Sequence, residues 1–228
     1  MQKKVAQTKK YFLEYNFYAQ KTLKYGNRME MKLVQKLLIV GLFCSVLPVL
    51  VPAQILRDTF VRTSAEDWRV HPWKEYKSIE GKFQVLTPGD FDKAVDSVYT
   101  DIGKLAYHIL IYNNTQKNAE NLFYMITFCD YPPGTIHSDS TELLKDFFDA
   151  SIDQAIKSVN GELAYQNDIT LKGFPGKLWR INYLRGEALI KTRAFMVGNR
   201  FYTIQTVTVK DMAINAASDR FFDSFIVL

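Results

Sequence analysis

His137-Ser138-Asp139 followed by Glu142 gathers one imidazole and two carboxylates in a short stretch, the donor types that a metal ion accepts. Asp139 and Glu142 also stand three apart at the start of a helical pattern, where they form a capping box with Asp in place of the usual Ser or Thr. The cap is the expected role, and no metal is assigned to His137, Asp139 and Glu142. His108, between Tyr107 and Ile109, is expected to be a hydrogen-bonded sheet histidine. Cys129 lies between Phe128 and Asp130 in an apolar run and is expected to be a small buried residue rather than a reactive thiol. The sequence contains no Gly-x-Ser-x-Gly, His-Glu-x-x-His or Cys-x-x-Cys and no phosphate-cradling glycine loop. No catalytic residue and no cofactor is therefore assigned.

The remaining chemistry is electrostatic. Lys172, Lys177, Arg180, Arg185, Lys191, Arg193 and Arg200 fall in one stretch against a single Glu187. In a strand, Lys191 and Arg193 share a face by the two-residue period, and Arg180 joins them from the adjoining strand. The plain interpretation is a solvated sheet face. The functional one is a patch of Lys177, Arg180, Lys191, Arg193 and Arg200 that docks an acidic protein or an anionic membrane surface.

Upstream, Leu37 to Val51 is a run without a charge, preceded by Lys32 and Lys36 and followed by Pro52-Ala53. A basic start, an apolar core and small residues before a cut are the parts of an export signal. Residues 31–53 are thus expected to be a signal peptide, with Met31 as the start and residues 1–30 an over-extended start or a cytoplasmic tail. Left uncut, the charge-free stretch reaches Leu56, long enough for a transmembrane anchor. Pro48 and Pro52 favour the cut. Either way the rest of the chain is exported, to a periplasmic, extracellular or lumenal space.

The expected cut changes the charge balance. Of 29 Lys and Arg, seven lie in residues 1–30 and two in the signal, and of 24 Asp and Glu, two lie in residues 1–30. What remains carries 20 basic against 22 acidic residues, so the basic pI belongs to the discarded part and nucleic acid is not an expected partner. Cys129 is the only cysteine left, which excludes an internal disulfide.

Residues 54–72, containing His71, lack periodicity and are expected to be a linker. Residues 73–228 are expected to be one domain, opening with strands at Trp73–Lys77 and Lys82–Thr87 around a turn. Phe91 to Ile102 fits a helical stripe as well as a strand. Its second half, with Gly103 and Lys104–Tyr112, is expected to make a hairpin. After a polar loop, Leu122–Tyr131 is the most apolar strand and is expected to be central. Thr141–Val159 is a helix stopped by Asn160-Gly161, with Leu144, Phe147, Phe148, Ile152, Ala155, Ile156 and Val159 inward. Strands follow at Leu163–Leu171, Lys177–Leu184, Glu187–Val197 and Arg200–Val209, joined at Gly173-Phe174-Pro175-Gly176, Arg185-Gly186 and Gly198-Asn199. An amphipathic segment, Ile214–Phe225, places Ala217, Phe221, Phe222 and Phe225 inward.

Phe83-Gln84-Val85-Leu86-Thr87-Pro88, the middle helix, the hairpin at Gly198-Asn199-Arg200-Phe201-Tyr202 and the ending Arg220-Phe221-Phe222-Asp223-Ser224-Phe225 together resemble the PsbP-like family over residues 73–228. The elements Asp130-Tyr131-Pro132 and Phe174-Pro175-Gly176 are nearest to its uncharacterised exported bacterial members. The resemblance implies an α/β (α+β) fold, a twisted antiparallel sheet packed against helices in a PsbP-like sandwich, and a non-catalytic exported module. The expected function is binding or accessory, in support of a membrane-associated assembly. The alternatives are an exported enzyme of unknown reaction and a carrier of a small apolar ligand between helix and sheet.

Overall fold

The computed structural model describes residues 73–228 except 101, 115, 117 and 118. The expectations for residues 1–30, the signal at 31–53 and the linker at 54–72 with His71 lie outside the described residues. The chain runs β1 (Lys74–Ser78), β2 (Phe83–Thr87), β3 (Asp92–Thr100), β4 (Gly103–Asn113), β5 (Phe123–Asp130), α1 (Thr141–Val159), β6 (Glu162–Leu171), β7 (Phe174–Tyr183), β8 (Ala188–Val197), β9 (Arg200–Val209), α2 (Ala216–Asp223) and β10 (Ile226–Val227). Strands dominate. Among the described residues the fold is mostly antiparallel sheet with two helices, so α/β describes it only loosely. No helix among the described residues is long and apolar enough to cross a membrane.

The large sheet has the order β3-β4-β5-β9-β8-β7-β6, and the small one β1-β2-β10. Hairpin chemistry explains most of the order. Lys172 and Gly173 have φ of 50° and 86° between the paired Leu171 and Phe174, the left-handed geometry of a two-residue turn whose twist matches the strands. The expected joint is therefore narrower than Gly173 to Gly176, and Pro175 belongs to β7. It sits opposite Thr170, one residue before pairing with β8 begins at Gly176 and Phe195, where its missing N–H breaks no ladder bond. The joint at Arg185-Gly186 is longer than expected. Tyr183 pairs with Ala188, and Leu184, Arg185 and Gly186 have φ of 51°, 58° and 85°.

Helix α1 has the expected bounds. Gly161 N donates to Ile156 O at 3.0 Å and Asn160 N to Lys157 O at 3.3 Å, with Asn160 left-handed, the paired bonds of a Schellman stop. Its start differs from expectation. Ser140 is the N-cap and makes no side-chain cap bond, so Asp139 lies one residue outside the helix and Glu142 one position early. The capping box is out of register, and the Asp139 carboxylate turns to His137 instead, Nδ1 to Oδ2 at 3.2 Å.

Each face of the large sheet buries its own core. Leu144, Phe147, Phe148, Ile152 and Ala155 of α1 pack on Tyr107, Cys129, Trp179, Ile181, Met196 and Phe201. On the opposite face, Phe83 and Val85 of the small sheet and Phe221, Phe222 and Phe225 at the C-terminal end pack on Tyr124, Phe128, Phe195, Tyr202 and Ile204. Double coverage explains why β5 is buried at every residue but Asp130. The middle place of the seven belongs to β9, however, with β5 beside it.

Candidate functional site

Strand register sorts the five cations of the expected patch. Arg180 of β7 pairs directly with Lys191 of β8, Leu178 with Arg193, and Tyr165 of β6 with Arg180. Cross-strand partners share a face, so Arg180, Lys191 and Arg193 form one cluster, on the face that also carries α2. Lys177 is one residue out of phase and lies on the α1 face. There it meets Asp168 at 3.2 Å and Asp149 at 3.4 Å. Burial opposes its charge, but the two carboxylates outweigh that and hold its pKa above the ordinary value.

Arg200 is set apart in another way. Its Nε donates to Asp130 Oδ1 at 2.6 Å, Nη2 to Oδ2 at 2.5 Å and Nη1 to the Glu80 carbonyl at 2.7 Å. The guanidinium also lies 5.1 Å over the Phe128 ring, while His108 stacks parallel to that ring at 4.4 Å and faces Glu80 Oε1 at 3.4 Å. Arg200 thus ties the β1–β2 turn to the large sheet, and His108 is a packed sheet histidine. The Arg200 bonds, and its charge, hold the Asp130 carboxyl below the ordinary carboxylate value against the effect of burial. A depressed folded-state pKa stabilises the fold above the ordinary carboxylate range and ceases to do so as the group protonates. In Asp130→Asn, thermal melts should therefore differ most from the wild type near neutral pH, and the gap should narrow below about pH 4. The carboxylate is more than half exposed, which keeps the effect small. A gap that stays constant down to acid unfolding would contradict this coupling.

The three clustered cations are not equivalent. Arg193 Nη1 donates to Asp223 Oδ1 of α2 at 2.8 Å, and its guanidinium lies 5.1 Å over the Phe222 ring. Arg180 lies 5.3 Å over the Tyr165 ring, and its Nε is buried without a hydrogen-bond partner. Burial pushes the Lys191 ammonium below the ordinary lysine value, with Asp219 of α2 opposing that effect and Arg180 adding to it. Among the described residues, neither Arg180 nor Lys191 has an ion-pair partner. Sequence spacing was enough to find this trio. The acids of α2 beside it were not readable, because nothing local says where a C-terminal helix docks.

His137 and Asp139 are together, but Glu142 does not join them, and no group of three His, Cys, Asp or Glu side chains suited to a metal occurs among the described residues. Cys129 is fully buried. Burial first, then the Asp130 charge, pushes its thiol up to about 12, so the thiolate needed for nucleophilic chemistry is scarce at neutral pH.

No protein-family model matches the chain, and no curated protein matches it. Among solved structures, it is similar to the crystal structure of PA94, a protein of unknown function from Pseudomonas aeruginosa, at 10% identity and a TM-score of 0.30, covering 61% of this chain and 85% of that one. It is also similar to the solution structure of cyanobacterial PsbP (CyanoP) from Synechocystis sp. PCC 6803, at 13% identity and a TM-score of 0.47, covering 73% of this chain and 98% of that one.

Proposed function

We propose that residues 73–228 are an exported, non-catalytic binding module of PsbP-like type that docks an acidic protein partner through the β7–β8 face. The observation that carries this reading is the direct pairing of Arg180 with Lys191, with no anionic side chain in ion-pair distance of either among the described residues. Like charges placed opposite each other across two strands cost free energy, and an incoming carboxylate relieves that cost. Asp219 and Asp223 of α2 stand beside the cations. They would oppose a continuous layer of anionic headgroups more than a protein that offers separate carboxylates, which favours the protein among the two partner classes. Export follows from the Lys-flanked apolar run at residues 37–51.

The test uses immobilised polyglutamate and vesicles containing anionic lipid. The wild-type chain should be retained on polyglutamate in a salt-sensitive manner and should not sediment with the vesicles. Reversing Arg180, Lys191 and Arg193 to Glu together should lower retention by at least about tenfold. Equal retention of the reversed variant would remove the docking role, and sedimentation of the wild type with vesicles would move the partner to the membrane surface.

A further inference from the structure

We propose that this face is centred on a seat for one oxyanion group, a carboxylate or a phosphate, made by Arg180 and Lys191, and that Arg193 lies outside it. The inference rests on the docking face above and narrows it to a point of recognition.

Arg193 is already committed. Its bond to Asp223 and its stacking on Phe222 answer its charge and fasten α2 to β8. Arg180 is different. The Tyr165 ring lies on one flat side of its guanidinium and the buried Nε–H has no partner, while a guanidinium edge is the part that matches two oxygens of a carboxylate or phosphate. Lys191, directly across the β7–β8 ladder, adds an ammonium with three donors and no acceptor among the described residues. Asn182 lies two residues beyond Arg180 on the same face of β7, and its Oδ1, like Arg180 Nε, is buried without a partner. The Asn182 oxygen can only accept, so the donors are the Arg180 guanidinium and the Lys191 ammonium, side by side on two adjoining strands. Donors of this kind suit one small group with several acceptor oxygens. Asp219 and Asp223 at the margin oppose a continuous layer of anionic headgroups.

The experiment titrates the full isotope-labelled chain with sodium phosphate and, separately, sodium acetate, holding ionic strength with chloride. The readouts are the Arg180 Nε–H signal and the backbone amides of β7 and β8. The expected result is a saturable shift with at least one of the two oxyanions and none with chloride. Phosphate alone or acetate alone then identifies the source. Affinity should fall about tenfold in Arg180→Gln and in Lys191→Met and stay within about twofold in Arg193→Gln, with circular dichroism confirming the fold of each. Arg180→Lys, which keeps charge and loses the fork, covers the case in which the glutamine variant does not fold, and should also weaken binding. Absence of a saturable shift overturns the seat. So does an Arg193→Gln loss equal to that of Lys191→Met. In both cases the docking face still stands or falls on polyglutamate retention, which the triple charge reversal decides separately.

Discussion

Phe83→Ala should lower the unfolding free energy by about 3–5 kcal/mol, the usual cost of deleting a fully buried aromatic ring. Phe83 is fully buried in β2, the middle strand of the small sheet. Its ring centre lies 5.3 Å from Phe225, 6.1 Å from Tyr76, 6.2 Å from Phe128 and 6.3 Å from Tyr202. One side chain therefore joins both sheets and the C-terminal end of the chain. The backbone of the same residue pairs with Val227 of β10, so the cavity would open where the last strand is anchored. Urea unfolding should show a lower midpoint with little change in slope, and amides of β10 should lose exchange protection before those of β9. A loss under about 1 kcal/mol would mean that the site collapses around the cavity, or that the small sheet contributes little to the cooperative unit.

Asn215→Ala is expected to cost about 2–4 kcal/mol, for a different reason. Asn215 Oδ1 accepts from Ser218 N at 2.7 Å, capping α2. Its amide nitrogen donates to Met212 O at 2.8 Å and to Asn121 Oδ1 at 3.1 Å. Asn121 is itself fully buried, and its amide donates to Asn215 Oδ1 and to the Tyr124 hydroxyl, both at 3.0 Å. Removing Asn215 takes away a helix cap and one bond from each amide atom of buried Asn121, whose Oδ1 keeps Ser218 Oγ and whose Nδ2 keeps the Tyr124 hydroxyl. Asn215→Asp keeps the cap acceptor but turns an oxygen toward two others, so it should not restore stability. The Asn121→Ala, Asn215→Ala pair should lose clearly less than the sum of the single variants. Additive losses would show that the two residues act separately.

Most elements were legible because their signals are local. The α1 bounds followed from the apolar stripe and Asn160-Gly161, and the β8–β9 hairpin from Gly198-Asn199. Phe91–Ile102 was ambiguous because its apolar residues fit two periods, and pairing with β4 settles Asp92–Thr100 as a strand. β10 had no signal of its own, since two residues carry no period. Its strand state comes from β2, which offers a free edge to Ile226 and Val227. The capping box failed by one residue, because the helix begins after Ser140, while the Asp139 carboxylate lies beside His137.

At the candidate site, the two-residue period alone placed Lys191 and Arg193 on one face, whereas Lys177, expected in the same patch, lies on the opposite face because it stands an odd number of residues from Arg180. Alternation is a property of the extended backbone, so any strand with this order of residues would do the same. Charge neutralisation is not. Whether a cation meets a carboxylate depends on contacts between segments far apart in the chain: Asp149 of α1 reaching Lys177, Asp130 of β5 reaching Arg200, Asp223 of α2 reaching Arg193. Spacing decided which cations stand together. Packing decided that, among the described residues, Arg180 and Lys191 are the two left without an ion-pair partner, because an ion pair needs contact within a few ångströms, and only the assembled fold sets that distance.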